Sequence, residues 1–131
     1  MVSLRRMATM MALAATLTLG ALQAMSQAGF LTENDLRAAI VGHSLRGSGW
    51  MEFYAPDGII YGKTRLFGVR SYTGRWTVMA NRVCYDYDGS SYDTCSRLQM
   101  RDGKVYHYDL DGNLKNDGVA TRTAGDQLDT F

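Results

Sequence analysis

The chain has little of what usually carries chemistry. Among 131 residues there are two histidines, His43 and His107, set far apart, and two cysteines, Cys84 and Cys95. No serine or cysteine stands in a nucleophile motif, no cysteine pair has CxxC spacing, and no glycine loop of the phosphate-cradling kind occurs. Metal, nucleotide and triad chemistry therefore have no carrier in the sequence. Charge is also in short supply of either sign. The 14 basic residues are balanced by 13 acidic ones, which gives no electrostatic reason to bind nucleic acid or an anionic membrane. Long apolar runs are missing too. The longest, within Met10 to Leu22, falls short of the roughly 20 residues that a spanning helix needs.

That short apolar run has a different meaning in its context. Arg5 and Arg6 precede it, no acid accompanies it, and Ser26-Gln27-Ala28 offers a small-x-small cleavage site. Residues 1–28 thus read as a signal peptide, with a cut after Ala24 as the alternative, and the mature chain runs from Gly29 to Phe131. Met7-Ala8-Thr9 lacks the apolar pair of twin-arginine signals, so the general secretory route is expected. Neither cut is followed by a cysteine for lipid attachment, so no membrane insertion is expected after cleavage. The expected location is periplasmic or secreted.

Thr32 as N-cap, Asp35 three residues on, the Leu31/Leu36 staple and Gly42 as the stop predict one short helix, with Leu36, Ala39 and Ile40 on its apolar face. From Ser44 onward, short aromatic and β-branched runs alternate with Asp-Gly turns at 57, 88, 102, 111 and 117. Strands are predicted at 50–54, 59–63, 65–69, 75–79, 82–87, 92–100 and 104–110, with a short one near Leu114. Connections this short impose antiparallel pairing. The expected fold is mainly β: an antiparallel meander forming a curved sheet or partly closed barrel, with one short N-terminal helix packed on it. The single domain is placed at 29–118 and a flexible tail at 119–131.

Cys84 and Cys95 are symmetric about Asp88-Gly89-Ser90-Ser91, so a hairpin centred there sets them opposite each other and predicts a disulfide that pins the register. The same register places Val83, Tyr85, Tyr87, Leu98 and Met100 toward the core. Cys84, Asp86, Asp93, Cys95, Arg97 and Gln99 fall on the other face, which the helix or the tail is expected to cover. Asp86, Asp88 and Asp93 crowd one turn; Asx-turn chemistry accounts for them, with a weak calcium site as the alternative. No metal or cofactor is expected. Aromatics exceed what a small core needs, and Trp50, Tyr54, Tyr61, Tyr106 and Tyr108 are the candidate binding stripe.

The Phe53-Tyr-Ala-Pro-Asp57-Gly58 hairpin, Gly74-Arg-Trp76-Thr-Val, the two cysteines and Asp102-Gly-Lys-Val-Tyr-His-Tyr108 together resemble a group of small exported proteobacterial proteins of unknown function, over Leu31 to Leu114. That resemblance implies a lipocalin-like curved meander and no known catalytic residues. More loosely the chain is similar to periplasmic lysozyme inhibitors. The expected function is non-enzymatic binding of an envelope protein or glycan, with no catalytic residue and no nucleic acid partner. A periplasmic hydrolase or a lysozyme-inhibitor-like protein is the alternative.

Overall fold

Eight antiparallel strands follow one helix in the computed structural model, which describes residues 29–131 apart from Tyr92. The expected signal peptide lies outside the described residues. The helix α1 spans Glu33–Ile40, and the strands are β1 His43–Arg46, β2 Trp50–Tyr54, β3 Ile59–Thr64, β4 Arg70–Met79, β5 Arg82–Tyr87, β6 Asp93–Arg101, β7 Lys104–Tyr108 and β8 Leu114–Ala124. Each strand pairs with its neighbour in sequence, and β8 returns to pair with β1, so the meander is a closed barrel. Closure removes both sheet edges.

Closure depends on a segment that the sequence pattern misassigns. Val119 to Ala124, expected as tail, form the second half of β8, with Thr121 to Ala124 paired to β1. The pattern hides this strand because its inward positions are the small Gly118 and fully buried Ala120 and the charged Arg122, so no large apolar residues mark the alternation. The remainder of the tail is packed as well. The Ser44 hydroxyl donates to the Gly125 carbonyl at 2.7 Å and accepts from the Gln127 amide at 2.9 Å. Lys63 Nζ donates to the Leu128 carbonyl at 2.9 Å. The Phe131 ring lies under the Arg65 guanidinium at 4.3 Å and near that of Arg46 at 5.5 Å. Residues 125–131 thereby cover the outer face of β1–β3, where Ser44 and Met51 are buried despite facing away from the barrel interior.

Two further differences concern strands. His43–Arg46, not expected as a strand, is β1, whose inward Leu45 is fully buried. Arg65 to Val69, expected as a strand, is the turn joining β3 to β4. Phe67 and Gly68 both take positive φ, 59° and 91°, which breaks the extended backbone, and Phe67 stands 92 % exposed at the tip.

α1 plugs one end of the barrel. Leu36, Ala39 and Ile40 point into it and join a core with Leu45, Ile60, Trp76, Val78, Val83, Leu98 and Val105. Trp76 is the anchor beneath the helix, its indole N–H bonded to the Ala55 carbonyl at 3.0 Å. The N-cap Thr32 has an extended backbone, but its hydroxyl makes no capping bond and instead approaches the Asp35 carboxylate at 3.5 Å. The other end of the helix is tied down by Arg122, which donates to the Ala38 and Ala39 carbonyls at 2.9 and 2.6 Å. A cation at the C-terminal carbonyls also complements the helix dipole.

Cys84 and Cys95 are register partners joined by a disulfide, their Cα atoms 4.0 Å apart, the close spacing of a pair without mutual ladder bonds. Val83, Tyr85 and Leu98 face inward from the same hairpin, as the register requires. The helix sits in the barrel end and the C-terminal segment lies on β1–β3, so neither covers the disulfide, which stays half-exposed. Among the described residues no helix is long and apolar enough to cross a membrane.

Candidate functional site

The end opposite α1 is open. Alternation on β2 turns Trp50, Glu52 and Tyr54 inward together, and the neighbouring strands add Tyr72, Tyr85, Tyr87, Ser96 and His107. Lys115 and Asp117 complete the mouth from β8. All of these except Tyr72, which sits behind Glu52, line a cavity of about 230 Å³.

Glu52 is its chemical centre. The side chain is 5 % exposed, yet no basic residue forms an ion pair with it among the described residues. Three phenols serve it instead. Tyr72 and Tyr87 each donate to Oε1 at 2.8 Å, and Tyr54 donates to Oε2 at 2.5 Å. Burial, followed by the Glu52 charge, pushes the phenols of Tyr54, Tyr72, Tyr85 and Tyr87 well above their ordinary value, so all four stay protonated. Two glycines make the arrangement sterically feasible. A Cβ at Gly62 would come within 2.3 Å of the Tyr72 ring, and one at Gly74 within 3.0 Å of Tyr87, so these rings reach inward across bare backbone. The Tyr85 and Tyr87 rings stack at 6.1 Å, and Tyr72 meets Tyr87 edge-on at 5.7 Å.

The opposite wall is built by an irregularity between β7 and β8. Tyr106 pairs with Val119 but Tyr108 pairs with Leu114, so extra residues of β8 bulge opposite His107. Gly118 lies there against the Lys115 and His107 carbonyls, where a Cβ would come within 2.6 and 2.9 Å. The bulge turns Lys115 toward β6, where Nζ donates to the Thr94 hydroxyl at 3.0 Å and the Cys95 carbonyl at 2.9 Å. It also lifts Asp117 to the rim, where its carboxylate accepts the Ser48 and Gly49 amides at 2.9 and 3.2 Å. Trp50 Nε1 donates to the Asp117 carbonyl at 3.1 Å, and its ring fills the space above Gly47 that any side chain would occupy.

His107 is buried, edge-on to Trp50 at 5.7 Å. Nδ1 lies 2.9 Å from the Gly118 carbonyl, which only an N–H can satisfy, so the neutral ring keeps its lone pair on Nε2. Burial is the main force lowering its pKa, to about 4; the bond to Gly118 opposes that and the Lys115 charge adds to it. The imidazole is therefore neutral at physiological pH.

Of the five aromatic residues expected to form one stripe, Trp50 and Tyr54 line this cavity. Tyr61, Tyr106 and Tyr108 do not join them, because odd and even positions of a strand face opposite sides of a barrel wall. Tyr61 stands on the outer face of β3. Arg101 lies over the Tyr106 ring at 4.0 Å and donates to the Tyr108 hydroxyl at 2.9 Å, and Phe30 packs edge-on to Tyr108. Asp86 and Asp93 face each other across the hairpin as expected, but no group of three metal-ligating side chains converges among the described residues. Sequence reasoning placed Tyr85 and Tyr87 inward but gave them no part in a site, and it missed Glu52, Tyr72, Lys115 and the buried position of His107. The signal for Glu52 was an acid between two aromatics at alternate positions, and for the tyrosines it was Gly62 and Gly74 inside strands. Comparison of the chain with protein-family models, curated proteins and solved structures finds no match.

Proposed function

We propose that this is a small exported cell-envelope protein whose open barrel mouth binds one sugar unit of an envelope glycan without catalysing its turnover. The observation that carries the reading is the cavity of about 230 Å³ at the open end, walled by Trp50, Tyr85 and Tyr87 and floored by Glu52. Its size is below the roughly 300–1,000 Å³ typical of sites for drug-sized ligands, which suits a single ring. Aromatic faces pack on the C–H faces of a sugar, while Nε2 of His107, Ser96 and the phenol oxygens offer polar contacts for its hydroxyls. Binding is favoured over hydrolysis because three phenols hold the acid in place and no carboxylate backs the imidazole. Both Glu52 oxygens accept from tyrosines, and the partner of His107 is a carbonyl rather than the carboxylate that would support a base. Export rests on the leader pattern of residues 1–28 and is supported by the Cys84–Cys95 disulfide.

The test is tryptophan emission on titration with monosaccharides and envelope glycan fragments. Trp50 lies at the mouth and Trp76 in the core, so a ligand-dependent change that disappears in Trp50→Phe locates binding at the mouth. If no sugar changes the emission while a protein partner co-purifies with the mature chain, the glycan reading falls. A protein partner is the second reading, favoured by the exposed tip of Leu66, Phe67 and Val69 beside the mouth.

A further inference from the structure

Glu52 has a feature that sugar binding alone does not use. A carboxylate taken almost wholly out of water needs compensation, and hydrogen bonds from neutral groups supply only part of it. Here the partners are three phenols and no cation. The other charged residues lining the cavity are differently placed: Lys115 is held by Thr94 and the Cys95 carbonyl, and Asp117 by the amides of Ser48 and Gly49. Glu52 therefore faces the cavity as a negative charge without a positive partner.

Its acceptor capacity is also incomplete. A carboxylate offers about four lone-pair directions, and the tyrosines occupy two on Oε1 and one on Oε2. Each phenol that donates to Glu52 keeps a lone pair of its own. Acceptors thus converge around a fixed negative charge, and the walls are tyrosine and tryptophan rings, whose faces attract cations. A neutral hydroxyl would satisfy the open acceptor but leave the charge uncompensated.

We propose that the ligand of this mouth carries a protonated primary amine bound at Glu52 beside Tyr54 and Tyr87, and that it is an amino-sugar unit with a free ammonium group. This deepens the sugar-binding reading and rests on it. The ammonium donates to the open position on Oε2 and to phenol oxygens, while the sugar ring lies toward Trp50 and its hydroxyls reach His107 and Ser96. Acetylation of the amine removes both the charge and the fit.

The experiment is calorimetric titration of the parent protein at pH 7 with glucosamine, glucose and N-acetylglucosamine, followed by chemical-shift mapping with the same three. The expected result is glucosamine bound at least tenfold more tightly than the other two, with shifts centred on the Glu52 neighbours. Glu52→Gln and Tyr72→Phe, each first shown to be folded by circular dichroism, are expected to reduce that preference, the former to about onefold. Equal affinity for all three sugars overturns the amine proposal and leaves the sugar site standing. If none shifts a residue of the mouth, both readings fall. Because the comparison among sugars uses the parent protein, it decides the matter even if Glu52→Gln does not fold.

Discussion

Acidification provides a sharp test of how the mouth is built, through His107. In the unfolded chain this imidazole takes up a proton near its ordinary 6.5, whereas in the barrel burial holds it neutral down to about pH 4. The folded state binds fewer protons between these limits. Stability is therefore fully present above pH 6.5, falls as the pH drops through that value, and stops falling on this account below about 4. The gap corresponds to about 3 kcal/mol at roughly 1.36 kcal/mol per pH unit, a large part of the roughly 5–15 kcal/mol that a domain possesses. For a domain of this size that lowers Tm by on the order of 10–20 °C. The control is His107→Asn, whose side-chain amide can still donate to the Gly118 carbonyl but does not titrate. Thermal and urea unfolding of both proteins from pH 4 to 7.5 should show parent and variant curves diverging as pH rises from 4 and running parallel above 6.5. Asp109, whose carboxyl is held low chiefly by the Asn113 amide, titrates below this window and is common to both proteins. If the two curves stay parallel from pH 4 to 7.5, the ring is not buried as described, and the wall opposite Glu52 must be redrawn.

Trp76→Ala should cost about 3–5 kcal/mol, because it empties the space under α1 and leaves the Ala55 carbonyl with the Gly58 amide as its one donor; a urea midpoint unchanged from the parent would refute the plugged-end packing. Reducing Cys84–Cys95 should destabilise the barrel by about 2.5–3 kcal/mol, the loop-closure value for so short a span, measured by unfolding with and without reductant. Gly62→Ala should displace the Tyr72 ring and weaken ligand binding several-fold while the protein stays folded, as read by titration beside circular dichroism. Removing residues 125–131 should expose Met51 and lower Tm without opening the mouth; unchanged stability would show that the segment contributes nothing.

What could be read from the sequence followed the strength of local pattern. The helix face, the Cys84–Cys95 register and the inward face of Trp76 were legible, because large apolar residues repeated at the right spacing or a symmetric turn fixed the pairing. The closing strand was not. Its inward side is Gly118, Ala120 and Arg122, two small residues and a charged one, which leave no apolar signature. Arg65 to Val69 failed in the opposite sense, since Leu66, Phe67 and Val69 have strand composition, but two successive positive φ values turn the chain instead. Composition could not show that. The cavity was half legible: Trp50 and Tyr54 followed from aromatic excess. Glu52 escaped because an acid in an amphipathic strand is ordinarily on the wet face, and only the enclosed barrel reveals that this face is the interior.

The pairing of β1 with β8 has a consequence for how the molecule comes into being. His43 to Arg46 find their partners only at Thr121 to Ala124, so the first strand of the barrel to be made must wait for the eighth. Until then both flanks of the sheet are unpaired, and the rate of assembly is governed by a contact that spans most of the polypeptide, the class of topology that folds in milliseconds to seconds. A chain made from its N-terminus thus stays open until a late step closes it. Once shut, the Gly125 amide donates to the Gly42 carbonyl at 2.9 Å, so residues flanking the two ends of the barrel wall lie side by side. Linking the old ends and cutting new ones at an exposed turn such as Asp102-Gly103 would have β8 made before β1.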